Sequence, residues 1–364
     1  MIMAIDARMK EGVGTLIRNV VMRTAERVER MLVLGDPSAV SGWGALPKTV
    51  EIIPFTSPIY GWREQLRFPA SKLGGCNVVH IPHFNVPIRT LPCPLIVSIH
   101  DTAHLAGILP MSVAYRAAAL LYYRHAVRRA RHIITGSSFS KGEIISRLNV
   151  NPEKITVIPD GVDSAKFHRQ SEGRIRQVLS RLGFARPYIM ILGSVRPHKN
   201  IGMALRAFEI LKIRKGIPHR LVIVGRKEGF RVNAELPGIS KHISQDVVFT
   251  GFLSEEEIIA LYSGADLFLF QSLYEGFGLP PLEAMSCGTP VAASRIASIP
   301  EVVGEAGAYF DPHDPESVSE TVLGLLNDKH ERDRLSRAGK IRAEMFTWER
   351  TAEGHFSVYT AFAR

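Results

Sequence analysis

Short apolar runs and amphipathic stretches alternate along the whole chain. In the first half the runs Met1–Ala7, Met31–Gly35, Val50–Pro54, Val78–Ile81, Leu95–His100, His132–Thr135 and Ile155–Ile158 are too short for buried helices and read as buried strands. Helical periodicity falls on Gly14–Arg27, Trp62–Ser71, Met111–Ala130 and Ser138–Leu148. A second series starts after Arg186-Pro187 with Tyr188–Leu192 and continues through Arg220–Val224, Val247–Thr250, Leu267–Phe270 and Val291–Ala293. Strands alternating with helices predict an α/β protein built on parallel sheets. A chain of 364 residues exceeds what one core usually fills, so two domains are expected. The basic, Pro-free stretch Phe167 to Arg181 marks the junction, giving domains 1–168 and 169–345. A final helix lies within 346–364.

The densest chemistry sits in ADLFLFQSLYEGFGLPPLEAMSCGTPVAAS, residues 265–294. It reads as a buried strand (Ala265 to Gln271), a glycine-rich turn, a short helix opening on Pro280-Pro281, and a second strand (Pro290 to Ser294). Proline is tolerated in the first helical turn, where its missing N–H has no partner to lose. Gly288 stops the helix as a left-handed cap does. This frame holds Glu275 and Glu283 at a fixed separation. The N–H groups of Gly276, Phe277, Gly278 and Leu279 face the carboxyl end of a strand, where open α/β sheets bind ligands. One unit thus offers donors to an anion or to sugar oxygens, and two acceptors to hydroxyls.

Glu275-Gly276-Phe277-Gly278-Leu279-Pro280-Pro281-Leu282-Glu283 resembles the E-x7-E motif of retaining glycosyltransferases of family 4. The likeness extends through GSVRPHKN, LVIVG, FTGFLSEEEIIALYSGAD and SIPEVVGEAG, and in the first half through DARMKEGVGTLIRN, PHFNVP, SIHDTAHL, TGSSFSKGEI and VIPDGVD, in the family's order. It covers essentially the whole chain and is similar above all to bacterial mannosyltransferases of surface polysaccharide synthesis. The fold it implies is GT-B: two Rossmann-like, doubly wound domains facing a cleft, with the C-terminal helix crossing back to the N-terminal domain.

The resemblance also assigns roles. Lys199 contacts the donor diphosphate, where cationic donors stabilise the charge that develops on the leaving group. Its place before a helix start adds the helix dipole to its own charge. Many family members carry an arginine at the position of Ser194; here Arg196 is the candidate substitute, unless it is an exposed structural residue, and His198 is a further donor. Gly12, Val13 and Gly14 form a turn where backbone approaches donor phosphate, although a tight strand–helix turn explains the glycines equally well. His100 and Asp101, ending a strand, belong beside the transferred sugar; the alternative for His100 is a satisfied core histidine. Glu283 accepts from ribose hydroxyls and Glu275 lies at the hexose. Phe249 to Leu253 borders the base. His83 and Asn85 border the acceptor, unless Pro82 and Pro87 merely shape a turn there.

Composition narrows the rest. Lys and Arg total 45 against 35 Asp and Glu, and Met1 to His168 holds 20 against 12, so +8 of the net +10 lies in the first half. A basic half suits nucleic acid, an anionic membrane surface or phosphorylated small molecules, or is simply a solvated surface. No nucleic-acid signature accompanies it, so nucleic acid is not an expected partner. Arg116, Arg124, Arg128 and Arg129 on the apolar-basic stretch Leu109 to Arg131 suggest peripheral association with a membrane carrying a lipid-linked acceptor. Cys76, Cys93 and Cys287 are too few and scattered for a disulfide framework or zinc site. No window reaches the ~20 apolar residues of a membrane span. The start MIMAIDAR reads as a strand rather than a signal peptide, so a cytoplasmic location, peripheral at the inner membrane face at most, is expected.

The expected activity is hexose transfer, with retention, from a nucleoside diphosphate sugar to a saccharide or lipid-linked acceptor. GDP-mannose is the favoured donor and a UDP-sugar the second. No Asp-X-Asp triplet occurs, so neither a metal nor another cofactor is expected. The alternatives are a GT-B epimerase or hydrolase acting on the sugar nucleotide, and a binding protein that has lost transfer. The last predicts loss of His100, Lys199 or Glu275, and all three are present.

Overall fold

The structure, a computed structural model, describes residues 1–9, 11–59, 61–193, 196–225 and 242–364, with the side chains of Glu11 and Trp62 outside the description. The chain forms two compact units. The first comprises Met1–Gly107, Met111–Gly161 and Trp348–Arg364, and the second Ile108–Pro110 and Val162–Thr347.

In the first unit seven strands form one sheet: β1 (Ile2–Asp6), β2 (Arg30–Gly35), β3 (Val50–Pro54), β4 (Val78–Ile81), β5 (Leu95–Ser98), β6 (His132–Thr135) and β7 (Ile155–Val157). Their order is β3-β2-β1-β4-β5-β6-β7, and every pairing is parallel. In register, Met3 lies opposite both Met31 and Val78. The residues of β4, β5 and β6 are buried throughout, which explains why these strands read as continuous apolar runs rather than alternating ones.

Several helix ends differ from the periodicity. The first helix spans Glu11–Thr24, so Gly12, Val13 and Gly14 lie in its first turn rather than in a preceding loop. Gly14 is required by a close approach: a Cβ there would stand 2.8 Å from the Met9 carbonyl oxygen. The stretch Trp62–Ser71 divides into a helix Trp62–Arg67 and a 3₁₀ turn Ala70–Leu73. Pro69 makes the break, because the residue before a proline is driven out of the helical region. Ser112 caps the helix Val113–Arg129 by accepting from the Tyr115 N–H, and Ser137 caps Ser138–Leu148.

The second unit holds β8 (Tyr188–Leu192), β9 (Arg220–Val224), β10 (Val247–Gly251), β11 (Leu267–Phe270), β12 (Val291–Ser294) and β13 (Gly307–Phe310). Their order is β10-β9-β8-β11-β12-β13, again wholly parallel. The unit begins earlier than the sequence suggested. Val162 and Phe167 pack into its core with Ile175, Val178 and Leu179, so the division falls after Gly161 rather than after His168.

The helix Trp348–Phe362 belongs to the first unit. Trp348, Val358 and Tyr359 pack with Ile5, Leu16, Ile17, Val20 and Val21. Arg23–Glu349 and Arg27–Glu353 ion pairs, at 2.9 and 2.6 Å, flank this contact. Beneath it runs a buried polar chain. The Tyr359 hydroxyl lies 2.8 Å from His80 Nδ1 and 3.1 Å from His355 Nδ1, while His80 Nε2 meets Ser98 Oγ at 2.8 Å. All three rings are almost wholly excluded from solvent, so each polar atom has exchanged water for a protein partner.

Burial holds both imidazoles below the ordinary histidine value of 6.5, His355 down to about 3, and neighbouring histidines add to the effect. Above pH 6.5 neither folded nor unfolded chain takes up a proton there, and the stabilisation is complete. As pH falls from 6.5 toward 3 the unfolded chain protonates while the folded one does not, so stability is lost. Melting temperature is therefore expected to fall steadily between pH 7 and pH 5. His355→Gln, which retains a partner for Tyr359, should fall less steeply; an equal slope in both proteins would show that this chain of residues is not the titrating element.

Candidate functional site

Each sheet reverses its strand order once, between β1 and β4 in the first unit and between β8 and β11 in the second. Loops leaving two such neighbouring strands run to opposite faces and open a crevice at the carboxyl edge. In both units a charged cluster occupies that place.

In the second unit β8 ends at Leu192 and leads to a 3₁₀ turn, Pro197–Lys199. Asn200 follows in the left-handed conformation, φ 52°, and starts the helix Ile201–Ile213. The turn is tied to the end of β11: the Leu273 N–H donates to the His198 carbonyl at 2.7 Å, and Gln271 Nε2 donates to the Lys199 carbonyl at 2.7 Å. Asn200 Nδ2 donates to the Pro312 carbonyl at 2.8 Å. The Lys199 stem lies 3.6 Å from where a Cβ on Gly193 would stand. Its Nζ ends 2.6 Å from Glu275 Oε1 and 5.7 Å from the centre of the Phe270 ring. Both partners keep a little solvent contact, 18% for Lys199 and 15% for Glu275. A ligand can therefore reach the pair.

Glu275 opens the turn that leads to the helix Leu279–Ser286. Gly278 precedes the helix with φ +105°, a conformation that costs residues with a Cβ about 1–2 kcal/mol. Helical geometry starts at Leu279, one residue before the expected Pro280, and Gly288 follows the helix at φ +77°. Buried Ser298 fixes the turn from beneath: its Oγ lies 2.8 Å from the Glu275 carbonyl oxygen and 2.9 Å from that of Phe277. The motif SIPEVVGEAG was legible in the sequence, but this supporting role of its serine was not.

Glu283, on the helix, accepts a hydrogen bond from the Tyr262 hydroxyl at 3.0 Å. Burial raises its pKa to about 7 against the opposing effect of that hydrogen bond. Burial thus favours its acid form relative to an ordinary glutamate. Arg196, expected at the phosphates, is exposed at the start of the 3₁₀ turn, while Ser194 lies outside the described residues. Of the segment expected to border the base, Leu253 packs in the core and Phe252 is 81% exposed.

In the first unit, Asp6 at the end of β1 meets His83 beyond β4, with Asp6 Oδ2 to His83 Nε2 at 3.4 Å. Arg8 binds both Asp6 oxygens, at 2.9 and 2.5 Å, and Glu64 Oε1 at 2.6 Å, and its guanidinium stacks 3.9 Å from the Phe55 ring centre. Asn85 donates through Nδ2 to Glu64 Oε2 and through its N–H to His83 Nδ1. His83 and Asn85 are thus buried members of a polar network rather than open side chains, and Arg8 is the member that lines an adjoining cavity of about 730 Å³, together with Gly14, Arg18, Trp43 and Ser57. Burial alone would raise the pKa of Asp6; the hydrogen bonds from His83 and Arg8 and the charge of Arg8 outweigh it and hold the carboxyl well below its usual range. Asp6, Glu64 and His83 bring ligand atoms within 4.8 Å of one another, as metal sites do. Between the two carboxylates lies one cation, the Arg8 guanidinium.

His100 Nε2 lies 3.0 Å from the Pro82 carbonyl oxygen, to which it donates, and its ring keeps partial exposure. The Asp101 carboxylate accepts from the Ala103 N–H at 2.9 Å, closing its own turn. Asp6, Arg8 and Glu64 were not singled out in the sequence. The one signal was the charged pair in DAR, ending an otherwise apolar strand.

Comparison with known proteins follows the same division. Residues 11–166 match Glycosyltransferase Family 4 and residues 181–342 match Glycosyl transferases group 1. Over 232 residues the chain is 32% identical to O-antigen chain mannosyltransferase B of Escherichia coli, covering 63% of this chain and 60% of that protein. Over 243 residues it is 35% identical to the MMP alpha-(1->4)-mannosyltransferase of Mycolicibacterium hassiacum, covering 65% and 55%. The match therefore spans little more than half the length of these relatives. Anabaena HepE, solved in complex with UDP-glucose, superposes with a TM-score of 0.77 at 18% identity over 99% of this chain and all of that one, a likeness of fold.

The Glu283 geometry yields a pH test. A ligand hydroxyl donating to this residue requires the carboxylate, so affinity should rise as pH passes upward through about 7. Calorimetry with GDP-mannose and UDP-glucose, whose diphosphates carry no titrating proton near neutrality, is expected to show tighter binding at pH 8 than at pH 6. Glu283→Gln should bind weakly at both. A wild-type affinity that is flat across this range would remove Glu283 from the ligand's contacts.

Proposed function

The chain belongs to glycosyltransferase family 4, and on that premise we propose that it transfers a hexose, mannose first, from a nucleoside diphosphate sugar to a saccharide or lipid-linked acceptor with retention at the anomeric carbon. The observation that carries the reading is the Lys199–Glu275 pair at the strand-order reversal of the second unit, one short helix away from Glu283. A cation for diphosphate on the turn after β8 stands beside an acceptor for hexose hydroxyls and an acceptor for ribose hydroxyls on the turn and helix after β11. The mannosyltransferase names of the two relatives favour GDP-mannose as donor, with a UDP-sugar second.

In the proposed reaction the bond between the anomeric carbon and the diphosphate oxygen breaks while the acceptor oxygen bonds to the same face. The acceptor proton passes to the departing phosphate oxygen, so no protein nucleophile is needed. Lys199 offsets the charge growing on that oxygen, and the dipole of the helix Ile201–Ile213 adds to it. Cationic donors for the diphosphate, Lys199 with Arg196 as a second, are why we read transfer as independent of a metal ion. His100 and Asp101 of the first unit, with its basic surface, are assigned by family likeness to the transferred sugar and the acceptor.

The helix Val113–Arg129 suggests where a lipid-linked acceptor would be met. It contains no acidic residue; Val113, Tyr115, Leu121 and Tyr122 are 81, 57, 66 and 40% exposed, and Arg116, Arg124 and Arg128 are exposed among them. Arg129 instead donates to the Arg89 carbonyl. Among the described residues no helix is long and apolar enough to cross a membrane, so the proposed association is peripheral.

Lys199→Ala should lower turnover on the order of a hundredfold, the loss of about 2–4 kcal/mol of transition-state stabilisation, with the fold intact. An unchanged rate at saturating donor would defeat the assignment. For the surface helix, sedimentation with anionic vesicles should recover the protein at low salt and release it as salt rises, each exposed arginine contributing about 1 kcal/mol. Equal recovery with neutral and anionic vesicles would leave the acceptor soluble.

A further inference from the structure

The sequence suggests separate duties for Lys199 and Glu275, one at the phosphates and one at the sugar. The structure joins them at 2.6 Å in a pair that is largely but not wholly shielded from water. No other carboxylate forms an ion pair with Lys199 among the described residues. Lys199 and Glu275 therefore neutralise one another as the pair stands, and Glu275 is held in place through its backbone: Ser298 holds the Glu275 carbonyl from beneath, and Leu273 is bonded to the turn that carries Lys199.

Two ligands must be distinguished there, the sugar nucleotide that enters and the nucleoside diphosphate that remains after transfer. The first carries a hexose whose hydroxyls can donate to Glu275 as Lys199 shifts to the phosphates. The second has no hexose hydroxyl to offer Glu275. Its terminal phosphate gains the acceptor proton on transfer, and once this is lost to water it carries one more negative charge than the donor did. A fixed carboxylate beside the lysine attracts the first through a charge-assisted hydrogen bond and repels the second.

We propose that Glu275 is a specificity-determining residue that sets the preference of the second unit for intact sugar nucleotide over nucleoside diphosphate, and so speeds release of the product. This rests on the reading of Lys199 as the diphosphate ligand, and the two can be tested apart. The carboxylate acts against free diphosphate by neutralising Lys199 when the site is empty and by like charge when it is filled. Removing its charge while keeping its shape frees the lysine for phosphate and deprives the hexose of its acceptor.

The experiment measures dissociation constants of GDP and GDP-mannose, and in parallel UDP and UDP-glucose, by calorimetry at pH 8 and fixed salt. The proteins are wild type, Glu275→Gln and Lys199→Met, each checked for an unchanged melting transition. Glu275→Gln is expected to bind the nucleoside diphosphate tighter, on the order of threefold to tenfold, and the sugar nucleotide weaker by a similar factor. Product inhibition in a transfer assay should deepen accordingly. Lys199→Met should weaken both ligands. If Lys199→Met weakens both while Glu275→Gln leaves diphosphate affinity unchanged or lowers it, the inference is overturned and the diphosphate site stands. If Lys199→Met changes neither, the reading of the site falls, and the inference falls with it.

Discussion

Parallel strand direction is the constraint on which the rest depends. In both sheets every pairing between the named strands is parallel, so each strand must be followed by a crossover that returns the chain to the same starting edge. All carboxyl ends then gather along one edge of each sheet, together with the loops and helix starts that follow them. A single reversal of strand order in each unit opens one crevice, and the positions that fall there are fixed by topology: Asp6 and His83 in one unit, Lys199 and Glu275 in the other. The chemistry of these side chains is local, but their meeting is a property of the sheet.

The two clusters handle charge differently. Arg8, Asp6 and Glu64 are almost completely withdrawn from water, and each charge is matched by short hydrogen bonds. Removing one partner of such a group leaves another charge buried without compensation, which costs about 3–5 kcal/mol. That network is a rigid wall for the cavity beside it. Lys199 and Glu275 keep contact with solvent and can exchange one another for a ligand at much smaller cost. Glu283 stands between these extremes, its pKa raised by burial while one tyrosine hydroxyl donates to it.

Strand positions were legible because fully buried parallel strands must be short apolar runs, and Leu267–Phe270 or His132–Thr135 show it plainly. The turn and helix after β11 were legible for a different reason, since Gly278 must adopt a positive φ and the two prolines suit a first helical turn. β13 was not singled out, because GAYF offers too short and mixed a pattern beside its glycine. Nor could periodicity show that Arg8 meets Glu64, 56 residues away, or that Lys199 meets Glu275, 76 residues away. Such contacts belong to strand order, which local patterns do not encode. The boundary after Gly161 was missed because Val162 and Phe167 look like linker residues until the core they fill is seen.

The last helix has a consequence for synthesis on the ribosome. Trp348, Val358 and Tyr359 complete a hydrophobic cluster whose other members, Leu16, Ile17, Val20 and Val21, are made more than 300 residues earlier. Until that closing segment emerges, the nascent first unit carries an uncovered oily stripe along the helix Glu11–Thr24. The second unit, continuous from Val162 to Thr347 apart from three residues, has nearly all of its chain available before then. Vectorial translation thus favours maturation in the reverse of gene order, and the early half needs shelter from aggregation while it waits.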